Sequence, residues 1–202
     1  MNPVQQEQRV PPVVSPNDRN SRELALLGRI AARDAEAMKE LYFLYHRRLA
    51  RFLTRLTSRT DLSEEIVNDT FWVVWQRAAD FRGASLVSTW IMGIAYRRAL
   101  KTLRRLRPMD KVEPETAEEL TDEPWQRAEL HEWLGVALAR LPPEQRTVME
   151  LAYTLGHSCE EIAVVMECPV NTIKTRMFYA RRKLRGLLLA LAGPPVDAGD
   201  TR

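Results

Sequence analysis

The sequence predicts an all-α chain organised as two helical domains, and three observations carry that prediction. Apolar residues recur at helical spacing in segment after segment, while no stretch alternates with the period of two that a half-buried strand needs. Start and stop signals punctuate those segments, among them Ser158 with Glu161 three residues on, Gly156 and Pro169. A run nearly free of large apolar groups, DKVEPETAEELTDE at 110–123, separates two apolar blocks.

Residues 1–20 hold Pro3, Pro11, Pro12 and Pro16 among Gln, Val and Asn, and read as a disordered tail. From Ser21 onward, Leu24, Leu27, Ile30 and Ala31 keep helical spacing. A second helix over 35–55 sets Met38, Leu41, Tyr42, Tyr45, Leu49, Phe52 and Leu53 on one stripe, with Arg47, Arg48, Arg51 and Arg55 on or near its edges. The next start falls at Thr60 to Ser63, with Asp61 or Ser63 expected as the cap and Glu64 and Glu65 where the helix dipole favours acids. Ile66, Val67, Thr70, Phe71, Val74, Trp75 and Ala78 form its inward stripe, and Glu65, Asp69, Trp72 and Gln76 point away. An aromatic ring on a polar face either marks a binding surface or is covered by a neighbouring helix, and the sequence leaves both readings open.

DFRGAS at 80–85 is a break that turns at Gly83. The helix after it, Leu86 to Arg107, directs Val87, Trp90, Ile91, Ile94 and Ala95 to the core and leaves Thr89, Met92, Tyr96 and Arg97 outside or on the boundary. Its last eleven residues gather Arg97, Arg98, Lys101, Arg104, Arg105 and Arg107. That is more cation than a helix C-terminus needs to complement its dipole. An aromatic beside such a run suits single-stranded nucleic acid, where bases stack and phosphates seek cations. Pro108 closes a first domain over 21–108. The connector at 109–124 is expected to be flexible, with the alternative that its acids lie along a basic groove in place of nucleic acid.

The second domain is expected over 125–190, followed by a flexible tail at 191–202. Trp125 to Leu141 resumes helical spacing, Pro142-Pro143 restarts the chain, and Val148, Met149, Leu151, Ala152 and Leu155 make another buried stripe that Gly156 stops. Ser158 and Glu161 then form a capping box ahead of Ile162, Ala163 and Met166. Glu167-Cys168-Pro169 breaks that helix, and a second one turns Ile173, Met177, Ala180 and Leu184 inward. Its opposite side carries Asn171, Lys174, Thr175, Phe178 and Arg182, flanked by Arg176 and Arg181. Between Lys174 and Arg185 there are six basic residues and no acid, whereas residues 129–167 hold seven acids against Arg140 and Arg146. A short helix, a tight break and a cationic second helix meet the requirements of a helix-turn-helix reading a major groove. An ordinary helical hairpin with a solvated basic face is the plainer reading of the same residues, but solvated faces usually mix signs.

The formal net charge is +3 over 202 residues, spread as +8 over 1–109, −6 over 110–123 and +1 over 124–202. Two cationic surfaces joined by an acidic connector point to a polyanionic partner touched in two places. Two cysteines, Cys159 and Cys168, make no disulfide framework. No signal-peptide core is present, and the run Leu187 to Ala192 is too short to span a bilayer, so a soluble cytoplasmic protein is expected. His46, His131 and His157 lie far apart and no glycine-rich phosphate loop is present, so no enzyme and no cofactor is expected. Cys159 and Cys168 pack as small hydrophobes or, with His157, supply three ligands for a metal or redox site.

With both blocks in view, the chain resembles a bacterial extracytoplasmic-function (ECF) sigma factor. LSEEIVNDTFWVVWQ at 62–76, FRGAS at 81–85 and TWIMGIAYRRA at 89–99 resemble the family's region 2. LPPEQRTVMELAY at 141–153 and EEIAVVMECPVNTIKTRMFYARRKL at 160–184 resemble region 4. The resemblance implies a monomer when free that binds core RNA polymerase and directs it to promoter DNA. It implies that Asn171, Lys174, Thr175, Arg176, Phe178, Tyr179 and Arg182 read the −35 element as duplex. Phe81, Arg82, Ala84, Ser85, Tyr96 and Arg97 would take the melted −10 strand, with Lys101, Arg104 and Arg105 on its phosphates. Glu65, Asn68, Asp69, Trp72 and Gln76 would dock on the polymerase clamp helices. An inhibitory anti-sigma factor, often a membrane protein in this family, is implied as a further partner. Arg97 stands where the family usually has Asn and Ala84 where it is often acidic, so the resemblance implies no base preference there. A two-domain helix-turn-helix regulator acting without polymerase is the alternative reading of the same motifs.

Overall fold

The computed structural model describes residues 16–106 and 135–191, all of whose regular elements are helical. The expected connector at 109–124, the first ten residues of the expected helix from Trp125, and the residues after Leu191 lie outside the described residues. The first body is built from α1 (Pro16–Ala31), α2 (Ala35–Thr57), α3 (Thr60–Arg77), a 3₁₀ turn (Ala78–Asp80) and α4 (Val87–Leu106). The second contains the end of a helix at 135–139, then α5 (Pro143–Met149), a π-helical turn (Glu150–Thr154), α6 (Cys159–Met166) and α7 (Val170–Leu191).

In the first body, α2 lies along α3, α3 along α4, and α1 closes the bundle. The stripe expected on α2 is the buried one: Leu41, Tyr45, Leu49 and Leu53 are fully enclosed. Asp34 caps α2, its Oδ1 accepting from the amides of Glu36 at 2.9 Å and Ala37 at 3.1 Å. Those bonds and the Arg29 guanidinium hold the Asp34 carboxyl below the usual carboxylate range. At the far end Ser58 adopts a left-handed conformation, φ 57°, and its amide returns to the Thr54 carbonyl.

Two local expectations are corrected. Helix α1 begins at Pro16, five residues before the expected start at Ser21, so residues 16–20 belong to the fold and not to a tail. Proline is tolerated in a first turn, whose amides lack helical partners. Asn20 is also held by tertiary structure: its Oδ1 accepts from the Val87 amide at 3.1 Å, satisfying a donor at the start of α4. Helix α3 starts at Thr60 without the cap expected from Asp61 or Ser63. Arg59 occupies the N-cap position and makes no side-chain cap bond. Ser63 is instead buried, its hydroxyl 2.8 Å from that of Thr54 and donating to the Thr60 carbonyl, while Asp61 pairs with Arg59.

In the second body, Ile162, Val165, Ile173 and Ala180 are buried, with Met177 and Leu184 almost so. Gly156 ends the preceding turn at φ +74°, a conformation that disfavours a Cβ. The capping box forms as expected: Ser158 Oγ accepts from the Glu161 amide at 3.2 Å, and Glu161 Oε2 accepts from the Ser158 amide at 2.7 Å. Glu167 takes the left-handed cap position at φ 51°, and Pro169 stands just before α7. The two bodies are packed against one another, α4 lying across α6 and the edge of α2 meeting the π-helical turn.

Candidate functional site

Three surfaces carry the residues singled out from the sequence. The first is the outer side of α7. Asn171, Lys174, Thr175, Phe178, Tyr179 and Arg182 are all exposed there. They are held outward because Ile173, Met177, Ala180 and Leu184 are committed to the core on the other side. Phe178 and Tyr179 meet edge to face with centroids 5.4 Å apart, and Arg182 lies 5.9 Å over the Tyr179 ring. Arg181 donates to the Tyr153 hydroxyl at 2.8 Å, fixing the middle of α7 to the π-helical turn. Arg176 differs from the rest. It is half-buried, paired with Glu144 at 2.8 Å and directed at the Cys168 sulfur, so it bridges α7 to α5 rather than projecting freely.

The second surface is the outer face of α3. Glu65, Asn68, Asp69, Trp72 and Gln76 are all exposed, and Trp72 retains 59% of its accessible area. Of the two readings left open for Trp72, no described helix covers it. Asp69 reaches across to Arg98 of α4 at 3.6 Å, which ties this face to the helix behind it.

The third surface is the break and helix α4. Gly83 turns the 80–85 loop at φ +71°, leaving Arg82 and Ala84 exposed and Ser85 half-buried. Phe81 is not free: its ring packs 5.3 Å from that of Trp90. Further along, Arg97, Leu100, Lys101, Arg104, Arg105 and Glu167 line a hollow of about 460 Å³ whose walls carry four cations and one acid. A phosphate chain entering it would meet more positive charge than the protein itself neutralises.

Expectation and structure part company on the upper part of α4. Thr89, Met92 and Tyr96 were expected outside or on a boundary, but Thr89 and Met92 are fully buried and Tyr96 keeps only 7% of its area. The cover comes from the second body. Thr89 donates to Glu161 Oε1 at 3.1 Å, and Arg97 pairs with Glu167 at 2.8 Å. Burial raises the Tyr96 phenol's pKa, the leading effect of a surrounding that also includes Arg176, Glu144 and Cys168. A second set of contacts runs from α2. Arg55 donates to the enclosed carboxylate of Glu150 at 2.6 Å, which also accepts from Thr154 at 2.9 Å, and Arg48 donates to the Leu155 carbonyl at 3.2 Å. The sequence hinted at this seam only through the arginines on the edge of α2. Nothing in spacing alone pairs Glu150 with Arg55, Glu161 with Thr89 or Glu167 with Arg97.

The metal reading of His157, Cys159 and Cys168 finds no support: no cluster of three or more His, Cys, Asp or Glu side chains suited to an ion exists among the described residues. Cys159 and Cys168 are half-buried free thiols, both packed against the hydrophobic core. No described helix is long and apolar enough to cross a membrane.

Comparison with known proteins accounts for this layout. The family described as Sigma-70 region 2 matches residues 41–108, and the family described as Sigma-70, region 4 matches residues 131–184. The ECF RNA polymerase sigma-E factor of Haemophilus influenzae is 30% identical over 181 residues, which cover 83% of this chain and 95% of that one. The ECF RNA polymerase sigma factor RpoE of Cereibacter sphaeroides is 33% identical over 160 residues, covering 76% and 87%. Among solved structures, the sigma factor RpoE of Bartonella quintana, determined with the anti-sigma factor NepR, superposes with a TM-score of 0.60 at 28% identity, covering 74% of this chain and 95% of that one. CnrH, determined with the cytosolic domain of CnrY, shares the fold at a TM-score of 0.64 and 23% identity, covering 86% and 99%. The paired region 2 and region 4 segments, the helix-turn-helix and relatives matched along nearly their whole length agree: the chain belongs to the extracytoplasmic-function family of RNA polymerase sigma factors.

Proposed function

We propose that the two bodies divide promoter recognition, with α7 reading −35 duplex and the α4 surface taking the melted −10 strand, while α3 docks on core RNA polymerase in the cytoplasm. The observation that carries this reading is α7 itself. A capped helix-turn-helix presents Asn171, Lys174, Thr175, Phe178, Tyr179 and Arg182 on one exposed face, with no acid among them. Donors and apolar groups at that spacing match the base edges, thymine methyls and phosphates of a major groove. Arg82, Ala84, Lys101, Arg104 and Arg105 are exposed for the second strand, and Ser85 is half-exposed. Phe81 must first leave Trp90 of its own body, whereas Tyr96, covered by the second body, and Arg97, paired with Glu167, become available there when the seam between the bodies parts. Regulation by an anti-sigma partner is supported by the complex with the anti-sigma factor NepR in which the related Bartonella quintana RpoE chain was determined.

Run-off transcription with purified core polymerase tests the division of labour. Addition of the chain should produce defined transcripts from genomic promoter fragments, and loss of either the −35 or the −10 element should abolish them. Transcripts that appear without the chain, or a chain that binds these fragments yet never co-elutes with core, would establish the polymerase-independent regulator instead. Within that assay, Lys174→Ala should weaken promoter binding and reduce the slope of log affinity against log salt by about one phosphate contact. An unchanged slope removes Lys174 from phosphate contact.

A further inference from the structure

His157 occupies the turn just before α6, at the seam between the two bodies, and promoter recognition as proposed makes no use of it. Its side chain is only 3% exposed. Its amide donates to the Leu151 carbonyl at 3.0 Å, which fixes the residue, but the ring nitrogen Nε2 is buried and meets no hydrogen-bond partner. On the other side, Nδ1 lies 3.8 Å from Glu161 Oε2. Glu161 is the same carboxylate that closes the α6 capping box and receives the Thr89 hydroxyl from α4. The charged groups acting on His157 among the described residues are Glu161 of α6 and Arg48 of α2, whose guanidinium donates to the neighbouring Leu155 carbonyl.

We propose that His157 is a proton-operated latch: neutral, it lets α6 lie closed over α4, and protonated, it drives the two bodies apart. The sign follows from what moves. Burial lowers the His157 pKa first and foremost, the Arg48 charge lowers it further, and Glu161 opposes both. Arg48 belongs to the first body and Glu161 to the second. Separation therefore removes the repelling cation and part of the cover, yet keeps the attracting carboxylate beside the ring. The open form accordingly binds the proton more tightly than the closed form, and acid favours opening. The open-to-closed ratio starts to rise as pH falls through the pKa of the open form, and below the pKa of the closed form each unit by which closure depresses the pKa has multiplied it about tenfold. Opening would uncover Thr89 and Tyr96 and release Arg97 from Glu167. That consequence rests on the promoter reading above, but the latch itself does not.

Small-angle X-ray scattering on the full chain, titrated from about pH 8 to about pH 5.5 across the ordinary histidine range, tests the latch without DNA or polymerase. The radius of gyration should rise as pH falls while far-ultraviolet circular dichroism stays constant, and His157→Gln should flatten the rise. A wild-type radius that does not change with pH overturns the proposal, as does an equal rise in H157Q or a rise accompanied by helix loss. Should H157Q fail to fold, the wild-type chain labelled at its histidine rings gives the decisive reading by NMR. A His157 that titrates below the ordinary range in the compact form supports the latch, and one that titrates at or above it ends it. Failure of the latch would leave transcription by the chain untouched, so the two readings fail separately.

Discussion

Replacing Trp72 by alanine is expected to weaken binding of core RNA polymerase about thirtyfold while leaving thermal unfolding of the free chain unchanged. Trp72 is 59% exposed on the outer face of α3, among Glu65, Asn68, Asp69 and Gln76. The inward residues of that helix, Ile66, Val67, Thr70, Phe71 and Val74, are all buried without its help. Removing the indole therefore opens no cavity. Were this face the docking surface, the ring would be the largest apolar group on it, and truncating an aromatic anchor of this kind costs roughly 2 kcal/mol or more. At about 1.4 kcal/mol per decade, that is a factor near thirty. Titration of fluorescently labelled core with wild-type and variant chains measures it. Equal affinities would remove Trp72 from the interface, and a lowered melting temperature would show that the ring supports the fold.

Ile91→Ala is expected to destabilise the first body strongly. Ile91 is fully buried in the middle of α4, in the same core cluster as Leu41, Leu53 and Ile66. Truncating such a side chain costs about 2–5 kcal/mol, because the surrounding atoms relax only partly into the space left. At about 2–4 °C per kcal/mol for a chain of this size, the melting temperature should fall by roughly 10 °C. Differential scanning calorimetry reads the shift directly. Under the proposed division of the promoter, a partly unfolded α4, which carries Arg97, Lys101, Arg104 and Arg105, should lose single-strand binding before α7 loses duplex binding. A fall of only about 1 kcal/mol would mean the core collapses around the smaller side chain.

The residues most legible in the sequence were those whose environment is set by their own helix. Ile173, Met177, Ala180 and Leu184 repeat at helical spacing, so one side of α7 had to be buried and the other had to face outward. The Ser158–Glu161 capping box and the Gly156 stop are equally local, since each is a bond or a backbone angle decided within four residues. The cap expected on α3 failed for the converse reason. Ser63 had a tertiary partner in Thr54 of α2, and that bond outweighed the local one. The start of α1 was missed because Asn20 is fixed by Val87, a residue 67 positions away.

Helical periodicity and the change of charge sign from one segment to the next thus determined the all-helical class, the helix-turn-helix and its cationic face. They did so because a face is a property of one helix. Only the tertiary structure decided that Thr89, Met92 and Tyr96 are covered, that Arg55 closes on Glu150, and that His157 lies beneath the seam. Those facts belong to pairs of surfaces, and a repeat along one strand of sequence carries no record of which distant surface will lie against it.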